Sequence, residues 1–162
     1  MDKTAAVFVS LVALAVPQGA NWRTFRANGV SVALPQSWYA TSRPLTPVTS
    51  PSMALAVASF PFPTLNRANG CEPAGTLAKM QPTGVLVYVI DYGQLNQGNT
   101  FAPRPKPIRL VHFARYECFG PSYQVRYRDA GRDFQVQIAF GRSATPANRA
   151  TALRIVNSLR AE

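Results

Sequence analysis

Reactive side chains are scarce in this sequence of 162 residues. The single histidine, His112, lies six residues before Cys118, and Glu117 or Asp91 can orient its ring in a nucleophile–base pair. The two side chains need not meet, however, and a lone histidine in a strand is usually structural. Two cysteines and one histidine are also too few for a zinc cage. We therefore predict no catalytic residue, no metal site and no cofactor, and a protein that is not an enzyme.

The two cysteines have a second interpretation if the chain is exported. Cys71 and Cys118 form an even pair, which in an oxidising compartment indicates a disulfide. That bond closes a long loop, and a chain-entropy model assigns such a loop about 3–4 kcal/mol of stability. Two separate buried thiols are the alternative. We predict the disulfide Cys71–Cys118.

Arginine gives the chain its charge. Seventeen basic residues stand against seven acidic ones, for a formal net charge of +10. A strongly basic protein is attracted to nucleic acid or to anionic lipid surfaces. The arginines are scattered rather than run together, so a bias in overall composition explains them equally well.

Some of these arginines alternate with aromatic residues in segments that read as strands. Such a surface binds single-stranded nucleic acid or acidic polymers by stacking and phosphate contacts. The strict alternation favours a different reading, with tyrosines in the core and arginines on the solvent-exposed face of an antiparallel sheet. The candidate binding residues are Arg109, Arg115, Arg126 and Arg128, accompanied by Tyr88, Tyr92, Tyr116 and Tyr123.

A hairpin and a helix near the C-terminus must position these side chains. Residues 123–128 and 134–140 alternate apolar and polar side chains, which predicts two paired strands. Asp129 suits the start of a type I turn, and Gly131 suits the left-handed position of a bulged hairpin. Thr145 and Pro146 then predict the N-cap and first residue of a helix reaching residue 159. We expect its apolar stripe to pack on the hairpin's inner face.

The rest of the chain reads as strands and loops. Asn28-Gly29 predicts a turn between two short strands, and residues 85–92 are the best candidate for a central strand. Residues 93–107 predict an exposed loop that either binds a partner or is simply mobile, and a pocket between it and the sheet would be the place to look for a ligand. The predicted fold is α+β and monomeric, with an antiparallel β-sheet of about six strands, a C-terminal helix packed on one face and a short helix near residues 74–80. The other predicted strands cover residues 53–60 and 108–116.

One stretch of the sequence resembles a known family. Residues 28–38, Asn-Gly-Val-Ser-Val-Ala-Leu-Pro-Gln-Ser-Trp, look like the opening of Mog1/PsbP-like domains, and residues 141–159 are similar to their closing strand and helix. The likeness covers about a third of the chain. It implies a small extracytoplasmic bacterial α+β domain, and it carries over no catalytic residue because this fold hosts unrelated roles.

The N-terminus predicts export. Residues 5–16 are apolar except for Ser10, and Lys3 precedes them. The run is too short to span a bilayer and fits a secretory signal peptide, although an ordered N-terminal element is the alternative. We predict a signal peptide over residues 1–20, a single domain over residues 21–162, no transmembrane span and an extracytoplasmic location, secreted or in the cell envelope.

Together these features predict a non-enzymatic secreted or envelope-associated bacterial domain that binds a protein or an anionic envelope component. Nucleic acid is a less expected partner in that compartment. The alternative is an anion- or nucleic-acid-binding module that uses an arginine-rich face of the sheet.

Overall fold

The computed structural model describes residues 21–63, 70, 72–93 and 100–162. Within them the chain forms nine strands and two helices, and the α+β prediction is confirmed. The signal peptide predicted for residues 1–20 lies outside the described residues. In chain order the elements are β1 (Trp22–Ala27), β2 (Val30–Pro35), β3 (Tyr39–Thr41), β4 (Ser52–Ala58), α1 (Ala74–Leu77), β5 (Val85–Gly93), β6 (Phe113–Tyr116), β7 (Gly120–Asp129), β8 (Arg132–Phe140), α2 (Pro146–Ser158) and β9 (Arg160–Ala161).

Six strands form one antiparallel sheet in the order β3-β4-β5-β8-β7-β6. The strand β5 lies inside this sheet, as its β-branched and aromatic composition predicts. The predicted hairpin of β7 and β8 is confirmed, but its turn differs from the prediction. Only Ala130 and Gly131 connect the strands, both with positive φ (47° and 77°), because a two-residue turn of this kind matches the right-handed twist of the paired strands.

A second, three-stranded sheet has the order β1-β2-β9. The predicted hairpin at Asn28 and Gly29 is confirmed, with both residues at positive φ (51° and 67°) and Ala27 opposite Val30. The C-terminal strand β9 adds to the other edge of β2, with Val30 opposite Ala161. The two ends of the domain therefore meet in this small sheet.

The helix α2 begins as predicted, and it packs on the expected side of the sheet, where its apolar side chains join Val136 and Ile138 in one cluster. The Thr145 side chain accepts a hydrogen bond from Asn148 N, the Asn148 side chain accepts one from Thr145 N, and Pro146 is the first helical residue. The backbone of α2 lies closest to β2 and β5 rather than to the β7–β8 hairpin. Strand β2 offers the buried side chains Val32 and Leu34 to the helix, so the helix is held between the two sheets.

The six-stranded sheet is covered on both sides. On the side that we call the helix side, α2 and the small sheet cover alternate residues of the strands, including Val87, Val136 and Ile138. On the other, the loop side, residues 45–51, residues 59–62, α1 and residues 117–119 cover the intervening residues, including Leu86, Tyr88 and Ala139. We expected polar residues of β8 to face water there, and that was wrong. Gln135 and Gln137 are buried, because this second layer lies over them.

Two further boundaries differ from the predictions. Only Phe113–Tyr116 forms a strand within residues 108–116. Residue Ile108 is instead buried against α2, where Asn157 accepts from its N–H and donates to its carbonyl. The short helix near residues 74–80 is confirmed but covers only Ala74–Leu77.

A buried arginine fixes the segment that leads to β6. The Arg104 side chain, 6% exposed, donates to the C-terminal carbonyls of α2 at Val156 (3.2 Å), Asn157 (3.0 Å) and Leu159, and it pairs with Asp129 (3.3 Å). A cation at the end of a helix dipole compensates carbonyls that have no partner within the helix. Residues 102–104 also pair with β7 at Arg128.

Candidate functional site

An aromatic row crosses three neighbouring strands at the β6 edge of the helix side. The rings of Phe113 and Tyr123 lie 4.9 Å apart, and those of Tyr123 and Phe140 lie 5.9 Å apart, edge to face. The Arg149 guanidinium of α2 covers Phe140 at 4.7 Å, and it donates to the Tyr123 hydroxyl (3.3 Å). Arg115 lies two residues after Phe113, on the same side of β6. We call these five residues the edge surface.

The outer end of this row is exposed. The Phe113 side chain is 59% exposed, and Val111, two residues earlier, is 66% exposed. Each described residue of β6 is at least partly open to solvent. A large apolar side chain on an open edge strand is a feature of interaction sites, since it otherwise promotes aggregation.

The backbone of β6 is also open on its outer side. Among the strands of the described residues, only β7 pairs with it. Gln124 N donates to His112 O (3.1 Å), which fixes the alternation of bonded and non-bonded positions along this antiparallel pair. The N–H groups of Phe113 and Arg115 therefore point away from the sheet. Pro121, opposite Arg115, occupies a position that needs no N–H toward β6.

Four acidic residues elsewhere in the fold are already paired with arginine. The ion pairs are Arg132–Asp91 (2.5 Å), Arg104–Asp129 (3.3 Å), Arg128–Asp133 (3.0 Å) and Arg26–Glu162 (3.0 Å). These four pairs include each aspartate of the described residues. Arg115 and Arg149 lie outside them, so the edge surface keeps its positive charge for a partner.

The four predicted binding arginines do not share one surface. Arg115 lies on the helix side, whereas Arg126 and Arg128 of β7 lie on the loop side opposite Gln135 and Asp133. Arg128 is engaged with the fully buried Asp133 carboxylate. Arg109 is exposed in the segment before β6.

On the loop side, Arg126 is hydrogen-bonded to Gln135, which lines a small cleft. The Arg126 Nε donates to Gln135 Oε1 (2.9 Å), and the Tyr92 hydroxyl donates to the same oxygen (3.2 Å). The cleft has a volume of about 200 Å³. It lies under residues 46–51, and none of its lining residues comes from the described part of the loop at residues 93–107. Its walls are Thr46, Val48, Pro51, Met53, Tyr88, Ile90, Tyr92, Cys118, Phe119 and Gln135.

Buried tyrosines lie on both sides of the sheet, not on a binding surface. On the loop side, burial raises the pKa of Tyr88, and a hydrogen bond with Thr46 partly opposes that rise. On the helix side, burial raises the pKa of Tyr127 to about 12, against the nearby positive charge of Arg104. Both phenols therefore stay neutral at physiological pH.

The sequence-level catalytic pair finds no support in the described geometry. His112 is exposed, and no described contact joins its ring to Cys118. Cys118 is half-buried and is not a free cysteine. Its predicted partner Cys71 lies outside the described residues, so the disulfide stays a prediction. In the described ranges no three of His, Cys, Asp and Glu group as metal ligands, and no helix is long and apolar enough to cross a membrane.

Several residues of both sites escaped the sequence analysis. From the sequence, Phe113 and Phe140 are only apolar residues of predicted strands. Arg149 lies off the apolar stripe of the predicted helix. Gln135 was assigned to solvent. One signal was present, because β8 carries the uncharged amides Gln135 and Gln137 where an exposed strand usually carries charged residues.

Comparison of the chain with protein-family models, curated proteins and solved structures finds no match. The resemblance to Mog1/PsbP-like domains therefore stays a prediction from short motifs. The site geometry alone must carry any functional conclusion.

Proposed function

We propose that this chain is a non-enzymatic binding domain of the bacterial cell envelope, and that it holds an acidic, extended segment of a partner protein at β6. The observation that carries the proposal is the edge surface. There an open strand edge, exposed Phe113 and the arginines Arg115 and Arg149 coincide.

Addition of a strand to an open edge supplies affinity through backbone hydrogen bonds. The outward N–H groups of Phe113 and Arg115 are donors for such a strand. The exposed rings supply apolar contact area, and aromatic residues with arginine are the types most enriched at binding hot spots.

Charge favours an acidic partner over a second copy of this chain. Two copies meeting at β6 would bring Arg115 against Arg115, and each copy carries a formal charge of +10. Like charges facing each other across an interface oppose association. The monomeric state predicted from the sequence agrees with this reasoning.

The test uses a defined peptide of eight residues with blocked ends and the sequence Val-Thr-Glu-Thr-Val-Thr-Glu-Thr. Alternate residues of a strand share one face, so its Val and Glu side chains can lie together against the aromatic row and the arginines. We expect Phe113→Ser to weaken binding at least tenfold, measured by isothermal titration calorimetry. The matched control is Tyr39→Ser, which removes an exposed ring (45% exposed) from β3 at the opposite edge of the same sheet. Equal losses in both variants contradict the proposal.

Two substitutions at one position separate charge from backbone pairing. Arg115→Gln removes the charge and keeps the outward N–H, whereas Arg115→Pro removes both without breaking a bond to β7. We expect the proline variant to bind the peptide more weakly than the glutamine variant. If both bind equally, the partner does not add as a strand.

The alternative is an anion- or nucleic-acid-binding module. Three of its four predicted arginines, Arg115, Arg126 and Arg128, are divided between the two sides of the sheet, so they do not offer a continuous track for a phosphate backbone. Salt-dependent retention on heparin that falls in Arg115→Gln and Arg126→Gln alike would favour this alternative.

The envelope location is tested separately. Support for it comes from the apolar run of residues 5–16 and the predicted pair Cys71–Cys118. The intact mass of protein made with its own leader gives both the mature N-terminus and the thiol count. A processed chain without free thiols is the expected result, and an uncut chain with two free thiols contradicts the location.

A further inference from the structure

We propose that the loop-side cleft binds a small organic anion, with a ring or short acyl chain packed against Tyr88 and Phe119 and a carboxylate at Gln135 and Arg126. This site lies on the opposite side of the sheet from the proposed partner surface, so it stands independently of the proposed function.

The size of the cleft limits the ligand. An apolar cavity of about 150 Å³ holds one benzene ring. The cleft has about 200 Å³, which leaves room for a ring or a short chain and a small head group. Larger cofactors do not fit, since pockets for drug-sized ligands start at about 300 Å³.

Fixed apolar walls keep the cleft from closing. The ring of Tyr88 contacts that of Phe119 at 4.9 Å, and its hydroxyl is tied to Thr46. Met53 and Ile90 line the cleft from the neighbouring strands β4 and β5. An apolar group that enters gains contact with side chains that are already in place, so little ordering cost opposes its binding.

The polar end of the cleft offers hydrogen-bond donors. Gln135 lines the cleft and is only 7% exposed. Arginine can only donate, so the bond from Arg126 Nε identifies the amide oxygen and fixes the orientation of Gln135. No described residue accepts a hydrogen bond from the Gln135 amide nitrogen. This nitrogen can therefore donate to a ligand oxygen in the cleft without giving up a bond within the protein.

The charge at this end is positive and lacks a protein counter-ion. Arg126 is exposed, it stacks over Phe101 at 5.7 Å from the ring centroid, and it belongs to none of the ion pairs of the described residues. Only its Nε is used by Gln135, so its two terminal nitrogens can bind a carboxylate as a fork. A neutral ligand of the same shape would form no ion pair with Arg126.

The test compares charged and neutral probes of the same shape on the full chain. Phenylacetate and hexanoate are titrated beside phenylacetamide and hexanamide, and the Gln135 side-chain amide signals are followed by NMR. We expect affinities near 1 mM, and a carboxylate preference of at least tenfold, which corresponds to about 1.4 kcal/mol. Absence of any shift with both carboxylates at about 10 mM overturns the proposal.

Two variants locate the binding. Arg126→Gln should remove the preference for the carboxylate, whereas the matched control Arg115→Gln, an exposed arginine on the helix side, should keep it. Val48→Phe should fill the cleft and abolish binding of all four probes. Equal affinity for acid and amide in the unmodified chain, or a carboxylate preference that survives in Arg126→Gln, overturns the assignment even if the Val48→Phe chain does not fold.

Discussion

The two sides of the six-stranded sheet are covered by different kinds of structure. On the helix side, α2 and the small sheet pack regular apolar faces onto Phe134, Val136 and Ile138. On the loop side, irregular segments and the single turn of α1 cover the sheet, and polar Gln135 and Gln137 are buried beneath them.

This difference explains why each side carries its own kind of site. Regular elements fill the helix side and leave only its β6 edge uncovered, which favours a surface for an extended chain. Loops pack less regularly than helices and sheets, so the loop side keeps a cleft and buried polar groups that can orient a small ligand.

The largest expected effect concerns the attachment of α2 on the helix side. Arg104→Met should lower the free energy of unfolding by about 3 kcal/mol or more, because Asp129 and the terminal carbonyls of α2 lose a buried cationic donor. Urea unfolding monitored by circular dichroism measures this loss. The exposed neighbour substitution Arg109→Gln should stay within about 0.5 kcal/mol. A similar small loss for both would show that α2 does not depend on Arg104.

Stability at alkaline pH distinguishes the buried tyrosines on the two sides of the sheet. Below the unfolded pKa of 10.0, folded and unfolded chains both hold the Tyr127 proton, so its stabilisation is complete. As the pH rises toward about 12 the unfolded chain ionises first, and roughly 2–3 kcal/mol is lost.

Unfolding at pH 8 and pH 11 tests this sign in two matched variants. Tyr127→Phe should abolish most of the alkaline loss, whereas Tyr88→Phe should abolish less, because its hydrogen bond with Thr46 opposes the rise in pKa. If Tyr88→Phe abolished more of the alkaline loss than Tyr127→Phe, the less hydrated phenol would be the one on the loop side.

A smaller effect tests the buried polar layer of the loop side. Gln137→Leu should cost about 1 kcal/mol, since the buried Ser122 hydroxyl loses its acceptor at 3.1 Å. Adding Ser122→Ala should restore part of that loss in urea unfolding, because the unpaired hydroxyl is then removed. If Gln137→Leu alone stabilises the chain, the hydrogen bond between Ser122 and the Gln137 amide does not contribute to stability.

The smallest effect on stability belongs to the edge surface. Phe113→Ser should change the free energy of unfolding by less than about 0.5 kcal/mol, because the ring is largely exposed. Urea unfolding beside the peptide titration checks this. A loss of several kcal/mol would mean that Phe113 stabilises the fold rather than serving a partner.

Local sequence patterns predicted the elements well where a local cause exists. The turn at Asn28 and Gly29, the cap at Thr145 and the central strand β5 depend on neighbouring residues only. Gly141 shows the limit of local sequence patterns. In the sequence it only follows the second predicted strand of the hairpin. In the fold a side chain there would collide with the backbone carbonyls of Gln81 and Pro82, which come from a distant turn.

The candidate sites were harder to predict because they combine residues from separate elements. The four arginines were grouped by type, but the strand alternation sends Arg115 and Arg126 to opposite sides. The cleft depends on residues 46–51 and Phe119, which meet only once the loop side is closed.

By itself, the sequence determined the α+β class, the strand and helix positions and the positive charge, since these follow from local periodicity and composition. Tertiary structure alone decided which side of the sheet each arginine occupies, where α2 packs, and that the amides of β8 are buried. Those outcomes depend on contacts between residues far apart in the chain, and a pattern with a period of two cannot say what covers either face of a strand.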